Sequence, residues 1–124
     1  MTMVVVDVDD LKGINNGHGH VVGDEVLRAM ADALRASTRE SDIVGRLGGD
    51  NFVAILPDAG GDGAPLVAER INRGLEGLVR HRKLPSTVTC SIRTMASQEP
   101  PSALDDWLVE LERRPEAWRQ RGVG

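Results

Sequence analysis

The fold is decided by residues 42–56, which read DIVGRLGGDNFVAIL. Two short apolar stretches, at 42–47 and 51–56, flank the dipeptide Gly48-Gly49. Glycines between two β-type stretches favour a tight hairpin, because glycine adopts the positive φ values that such turns need. The segment therefore predicts two antiparallel strands that are joined at Gly48-Gly49.

The segments on either side of this hairpin alternate between strand and helix patterns. Strands are predicted at residues 4–8 and 87–92, and helices at residues 24–35, 64–82 and 102–112. Glycine, asparagine and histidine are frequent in residues 13–23, which predicts a loop or an irregular turn there. The buried stripe of the second long helix is predicted to consist of Leu66, Val67, Ile71, Leu75, Leu78 and Val79. The order β-α-β-β-α-β, followed by a helix, predicts a ferredoxin-like α+β fold with helices packed on an antiparallel sheet.

Composition and charge argue against several classes of protein. The 124 residues carry a net charge of −4 and include one phenylalanine, two tryptophans and no tyrosine. A nucleic-acid surface needs a basic field and stacking aromatic rings, so none is expected. No apolar run approaches the roughly 20 residues of a membrane span, and no signal-peptide pattern opens the chain, so a cytoplasmic location is expected. The single cysteine, Cys90, lies in an apolar stretch and predicts a buried free thiol.

Carboxylates follow the first predicted strand and the glycines of the hairpin. Asp7, Asp9 and Asp10 lie at the end of the strand, and Asp50 follows Gly49. Mg²⁺ prefers such oxygen ligands and often takes substrate phosphates as well. Because a hairpin tip and a neighbouring strand end can converge, Asp50 and Asp7 are candidates for one metal site. The alternative is a solvated strand end beside an ordinary exposed turn.

Polar side chains in residues 12–24 suit a nucleotide base. Asn15 and Asp24 have the donors and acceptors that match the edge of guanine. The alternative is that Asn15 and Asn16 form a turn and that Asp24 caps a helix. His18 and His20 lack a third metal ligand at suitable spacing, so structural or exposed histidines are expected.

Arg39 and Asp42 form the last candidate pair. A guanidinium with a nearby carboxylate can bind phosphate or guanine. A surface ion pair is the alternative explanation.

The joint order of these clusters resembles the signature of GGDEF domains. Residues 7–27 follow the pattern DVDxxKxxNxxxGHxxGDxxL, and residues 46–52 read RLGGDNF. The resemblance runs from Val4 to about Ile71. It implies bacterial cyclic-di-GMP signalling, in which active members condense two GTP molecules into cyclic di-GMP between two facing domains. The fold it implies is the ferredoxin-like one of nucleotide cyclases.

The resemblance also implies roles for particular residues. The Mg²⁺ ligands would be Asp7, Asp50 and the backbone carbonyl of Val8. The GTP-binding residues would be Leu11, Lys12, Asn15, Asp24, Gly48 and Gly49. The inhibitory site for cyclic di-GMP would consist of Arg39, Asp42 and Arg70. Mg²⁺ would be the cofactor where GTP is bound, and Asp50 and position 51 would be the catalytic pair.

Three departures from the family pattern bear on activity. Asn51 stands where the family has glutamate, and Arg93 stands where the family strand has glycine. The tail matches the family only vaguely at 118–122, where Arg121 could stand in for a phosphate-binding lysine. Residues 1–124 are therefore interpreted as one GGDEF-like domain that lacks the preceding family segment and has a truncated or divergent end.

These features favour a degenerate domain that binds cyclic di-GMP, GTP or both. The alternative is an active diguanylate cyclase, which would work as a homodimer with product inhibition, and the retained Asp50 supports it. A third option is a dimerisation or scaffolding domain without a ligand. The expected partners are the nucleotides and the sensor or effector domains to which family members are usually attached.

Overall fold

Strand β1 (Thr2–Val8) lies at the centre of the sheet, and its apolar sequence explains why. The computed structural model describes residues 2–46, 48–56, 63–96 and 119–121. Within these ranges the other strands are β2 (Ile43–Arg46), β3 (Asn51–Leu56), β4 (Cys90–Ala96) and β5 (Arg119–Arg121). They form one antiparallel sheet in the order β2-β3-β1-β4-β5. Leaving β5 aside, this is the strand order of the predicted ferredoxin-like fold, which is confirmed.

The side chains of β1 alternate between two apolar clusters, one on each face of the sheet. Val4, Val6 and Val8 pack under the helices, whereas Met3 and Val5 lie on the opposite face. Burial on both faces explains why β1 reads as a continuous apolar run rather than an alternating one. The interruption comes at Asp7, which belongs to the face opposite the helices.

Helices are found at α1 (Leu11–His18), α2 (His20–Ala36) and α3 (Ala64–His81). The predicted loop at 13–23 is therefore wrong, because α1 and the start of α2 occupy it. The Asp10 carboxylate accepts a hydrogen bond from the Gly13 N–H at 3.2 Å and so caps the first turn of α1. Gly19, with a φ of 90°, lets the chain turn directly into α2. Burial of Ile14 against the core outweighs the poor helix propensity of this segment.

Helix α3 agrees closely with the prediction of 64–82, and Pro65 lies in its first turn. One member of the predicted stripe is wrong, since Leu66 is 56% exposed. Strand β4 is displaced from the predicted 87–92. It continues through Arg93 and Thr94 because it pairs with β1 along the full length of both strands.

The helix predicted at 102–112 lies outside the described residues. Among the described residues, no helix is long and apolar enough to cross a membrane.

The contact between α2 and α3 depends on a glycine. A Cβ at Gly74 would lie 3.5 Å from the Ala33 Cβ, whereas a Cβ at Gly77 would meet nothing within 4 Å. We predict that Gly74→Leu destabilises the domain, because forcing extra atoms into a packed contact costs about 1–3 kcal/mol. The matched Gly77→Leu should stabilise it, since leucine gains about 0.8 kcal/mol of helix propensity over glycine. Urea unfolding of both variants tests this, and equal effects would contradict the packing argument.

The thiol of Cys90 gives a second test of the core. Burial, together with the charges of Asp9 and Asp7, raises the pKa of Cys90 to about 12, and the thiol donates a hydrogen bond to Asn72 Oδ1 at 3.2 Å. At pH 8 we expect roughly 10³-fold less thiolate in the folded chain than in the unfolded chain. The reaction of the folded chain with a disulfide reagent should be slowed by the same factor. The raised pKa also means that stability falls as pH rises from about 9 to about 12, because only the unfolded thiol ionises in that window. Rapid labelling of the folded protein at pH 8 would refute the burial of Cys90.

Candidate functional site

The end of β1 and the tip of the β2–β3 hairpin are joined by backbone pairing. Asp7 lies opposite Asn51 in the ladder, and the Val8 N–H donates to the Asp50 carbonyl oxygen at 3.0 Å. Register is fixed along this pairing because a shift by one residue would turn Asp7 toward the apolar cluster under the helices. The predicted convergence of Asp7 and Asp50 is therefore present in the fold.

Asn51 lies between these two carboxylates. The neighbouring acceptors assign the orientation of its amide, with the nitrogen facing the acids. In this orientation the amide donates to Asp50 Oδ1 at 3.0 Å and also to Asp7 Oδ1. An amide nitrogen offers only donors, so Asn51 satisfies the two acids without adding a negative charge or an oxygen ligand of its own.

Arg93 contacts the same acid from the other side. Its Nη2 atom lies 3.5 Å from Asp7 Oδ2, and both side chains are about one-fifth exposed, 22% for Arg93 and 21% for Asp7. Arg93 Nε is buried and has no hydrogen-bond partner among the described residues. Asp7 therefore already has a cation beside it.

This arrangement does not fit a Mg²⁺ site. Mg²⁺ needs near-octahedral oxygen ligands, while Asp7 faces a guanidinium and shares an amide donor with Asp50. In the described part of the chain, no group of three or more His, Cys, Asp or Glu side chains is placed to hold a metal ion. His18 and His20 are exposed, in agreement with the expectation for them.

The other two acids of the 7–10 segment have structural partners. Asp9 accepts hydrogen bonds from the Thr89 hydroxyl at 2.8 Å and the Ser91 hydroxyl at 2.6 Å. Asp10 caps α1. These contacts connect the end of β1 to β4 and to α1, so Asp9 and Asp10 serve the fold, whereas Asp7 and Asp50 share the Asn51 amide.

Asn15 and Asp24 lie near the corner between α1 and α2. The Asn15 side chain packs directly on Gly23, at a place where a Cβ would overlap its Oδ1 atom. Asp24 is the next residue along the chain and is exposed. The structural alternative to guanine binding is wrong in both of its parts. Asn15 and Asn16 lie within α1 rather than in a turn, and Asp24 lies within α2 rather than at its N-cap.

Asp24 borders an open cleft of about 360 Å³ between α2 and the hairpin strands. Its lining residues are Asp24, Leu27, Arg28, Ala31, Arg35, Val44, Gly45, Arg46 and Phe52. The three arginines of this cleft, Arg28, Arg35 and Arg46, were not predicted as site residues from the sequence. Arg28 and Arg35 are seven residues apart in α2, so the helical period places them on one face with Asp24, and that spacing was the available signal.

Arg46 also holds the hairpin tip. Its Nε donates to the Gly48 carbonyl at 2.9 Å, and its Nη2 donates to the Gly49 carbonyl. The guanidinium carbon lies 5.9 Å from the centre of the Phe52 ring, within cation–π range. These contacts fix the glycines that carry Asp50.

Arg39 and Asp42 form a turn after α2. The Arg39 N–H donates to Asp42 Oδ2 at 2.7 Å, and the Asp42 N–H donates to the Arg39 carbonyl at 3.0 Å. The Arg39 side chain is exposed and has no hydrogen bond or ion pair within the described residues. The alternative of a side-chain ion pair is therefore not found, because Asp42 binds the backbone instead. Arg70 is exposed on α3, and no hydrogen bond or ion pair joins it to this turn within the described ranges.

Lys12 and Leu11 lie in the first turn of α1, and Lys12 is exposed. Their amides are close to the end of β1, because only Asp9 and Asp10 separate the two elements. The candidate residues thus fall into three groups: the acids at the end of β1, the α1–α2 corner with its cleft, and the Arg39–Asp42 turn.

Comparison with known proteins places this geometry in a family. The chain is 34% identical over 99 residues to the probable diguanylate cyclase DgcC of Escherichia coli K12, a match that covers 80% of this chain and 26% of that protein. The chain thus spans about a quarter of the length of this curated relative.

Solved structures agree with this match. The diguanylate cyclase SiaD of Pseudomonas aeruginosa, in complex with its activator SiaC, superposes with a TM-score of 0.76 and 29% identity over 90% of this chain and 43% of that one. A microbial GGDEF domain described in an interaction with cyclic di-GMP has a TM-score of 0.63 and 29% identity, covering 94% of this chain and 67% of that one. The family described as "Diguanylate cyclase, GGDEF domain" matches residues 1–123, and the chain belongs to this family.

Proposed function

We propose that this domain serves in cyclic-di-GMP signalling as a receptor for guanine nucleotides that does not cyclise GTP. The observation that carries the proposal is the Asn51 amide, which donates to both Asp7 and Asp50. Cyclisation needs charge on the triphosphate and a route for the proton of the attacking hydroxyl. An amide supplies neither, since it does not ionise near neutral pH.

The local charge supports the same proposal. Asp7 and Asp50 carry two negative charges, and Arg93 places a positive charge beside Asp7. A site that must hold a divalent cation needs its carboxylates unpaired and its oxygen ligands turned inward. Mg²⁺ would then enter with GTP as the counter-ion of the phosphates.

The Arg39–Asp42 turn is the proposed site for cyclic di-GMP. Asp42 Oδ2 is held by the Arg39 N–H, which fixes the carboxylate, while Oδ1 has no hydrogen bond among the described residues. A fixed carboxylate oxygen suits the paired N–H donors of guanine, and the exposed Arg39 guanidinium suits a phosphate or the base. Arg70 would add a second guanidinium from α3.

The α1–α2 corner is the proposed site for GTP. Asn15 and Asp24 would bind guanine, and the first turn of α1, with Leu11 and Lys12, would face the phosphates beside Gly48 and Gly49. The open cleft next to Asp24 supports this placement, because a concave surface with a few polar groups is typical of a ligand site.

An active diguanylate cyclase is the second candidate. The convergence of Asp7 and Asp50 favours it, since these are the acids that the resemblance assigns to the metal. Cyclase activity would require two copies of the domain to face each other, whereas nucleotide binding needs one. Sensor or effector domains in the same protein, and a location in the bacterial cytoplasm, belong to both candidates.

The first test separates binding from turnover. We expect the native domain to bind cyclic di-GMP in calorimetry and to form none from GTP and Mg²⁺ at high protein concentration. Arg39→Ala should weaken binding about 10- to 100-fold, because hydrogen bonds to a charged group are lost. Arg80→Ala, which removes another exposed arginine with only a 3.9 Å contact to Glu76, should have no effect.

Each result of this test has a defined meaning. Cyclic di-GMP produced by the native chain would reject the proposal in favour of the cyclase, provided that Asp50→Ala abolishes the product. Product from Asn51→Glu but not from the native domain would identify Asn51 as the reason why the native domain forms no cyclic di-GMP. No binding of either nucleotide would reject both candidates for this domain.

The contact between Asn15 and Gly23 gives a test of the GTP site. Gly23→Ala should displace the Asn15 side chain and lower GTP affinity about 5- to 10-fold, the loss expected for one or two hydrogen bonds. Gly17→Ala, on the same helix as Asn15, meets nothing within 4 Å and should leave affinity unchanged. Titration of a fluorescent GTP analogue measures both. Equal affinity in the two variants would exclude Asn15 from the site.

A further inference from the structure

The register of the sheet explains why Arg93 meets Asp7. Val5 of β1 lies opposite Arg93 of β4, and Asp7 lies opposite Ser91, so Arg93 and Asp7 are diagonal neighbours on one face. A diagonal separation of roughly 7–8 Å between strands is within the reach of a long side chain. The 3.5 Å contact between the guanidinium and the carboxylate is therefore set by the backbone pairing.

The surroundings of Arg93 restrict the partners that its guanidinium can have. The same face of the sheet continues into the second apolar cluster, which consists of Met3, Val5, Val53 and Met95. Arg93 Nε is buried and has no hydrogen-bond partner in the part of the chain that the structure describes, and only 22% of the side chain is exposed. A largely buried guanidinium is costly unless an anion is beside it, and Asp7 is that anion.

Asn51 completes the arrangement from the opposite strand. Its amide nitrogen donates to Asp7 and Asp50, so one oxygen of each acid already accepts an N–H donor, whereas a hard cation needs free oxygen lone pairs. Arg93 and Asn51 thus approach Asp7 from β4 and β3, the two strands that flank it.

We infer that Arg93 supplies, from within the chain, the positive charge that Asp7 and Asp50 would otherwise take from a divalent cation. In the nucleotide-free domain, Arg93 and Asn51 then supply the partners of the acid pair. The pair therefore has no affinity of its own for Mg²⁺ or Mn²⁺. This goes beyond the proposed function, because it concerns the pair with no nucleotide bound. The two proposals can therefore fail separately.

Binding of Mn²⁺ alone tests the inference, with the electron paramagnetic resonance signal of the free ion as the readout. The native domain should show no saturable binding up to about millimolar Mn²⁺, the range of weak carboxylate sites. Arg93→Gln should gain a site that binds Mn²⁺ at least ~10-fold more tightly than the native domain does. The reason is that a positive charge, which repels the cation, has been removed from beside Asp7. Asp7→Asn in the Arg93→Gln background should abolish that site.

Matched variants separate a metal effect from a general one. Arg93→Lys keeps the charge and should restore the native insensitivity to Mn²⁺. Arg82→Gln removes the partner of Asp32, whose 2.7 Å ion pair lies between α2 and the end of α3, and it should create no Mn²⁺ site because the expected effect belongs to the Asp7–Asp50 pair.

Three results would overturn the inference. The first is Mn²⁺ binding by the native domain that Asp7→Asn removes. The second is a folded Arg93→Gln variant, verified by circular dichroism, that gains no site. The third is a new site in Arg93→Gln that persists without Asp7. If Arg93→Gln does not fold, Arg93→Met replaces it, since methionine keeps an unbranched apolar stem in the same place.

Discussion

The structure depends on the pairing of β1 with a neighbour on each side. Residues Thr2–Asp7 are matched one by one to β3, and residues Thr2–Val8 to β4. Because both faces of β1 are buried, a slip by one residue would place every apolar side chain on the wrong face. The position of Asp7 between Asn51 and Ser91 is therefore fixed by the burial of residues far from it. The hairpin tip and the start of α1 are tied to the same strand end.

This constraint sorts the acidic residues at the end of β1 into two kinds. Asp9 and Asp10 bind hydroxyls and a helix N-terminus, and their carboxylates are used by the fold. Asp7 and Asp50 face each other across Asn51, and their surroundings are set by the side chains of Asn51 and Arg93, on the face of the sheet opposite the helices. Substitution at positions 51 and 93 can therefore change the chemistry of the site while the core under the helices stays the same.

Much of this arrangement was predictable from the sequence, and the exceptions have physical causes. The hairpin at 42–56 and helix α3 follow from local patterns, and the approach of Asp50 to Asp7 follows from topology. Helix α1 was missed because its Gly and Asn content predicts a loop. The helix forms because Asp10 caps its first turn and because Ile14 is buried against the core. The contact between Arg93 and Asp7 joins residues 86 positions apart in sequence, and only the register of β4 reveals it.

A guanidinium can neutralise an acid without replacing a metal ion. Mg²⁺ gathers oxygens from protein, water and phosphate around one centre, whereas arginine offers only N–H donors in a fixed plane. Arg93 beside Asp7 reduces the charge repulsion between the two acids. It thereby gives the fold the electrostatic stabilisation that a bound cation would supply. The site does not gain a centre that could draw charge from an attacking hydroxyl or a leaving phosphate. Under the proposed function, Asn51 and Arg93 thus satisfy the acid pair from within the chain and favour retention of a nucleotide over its conversion.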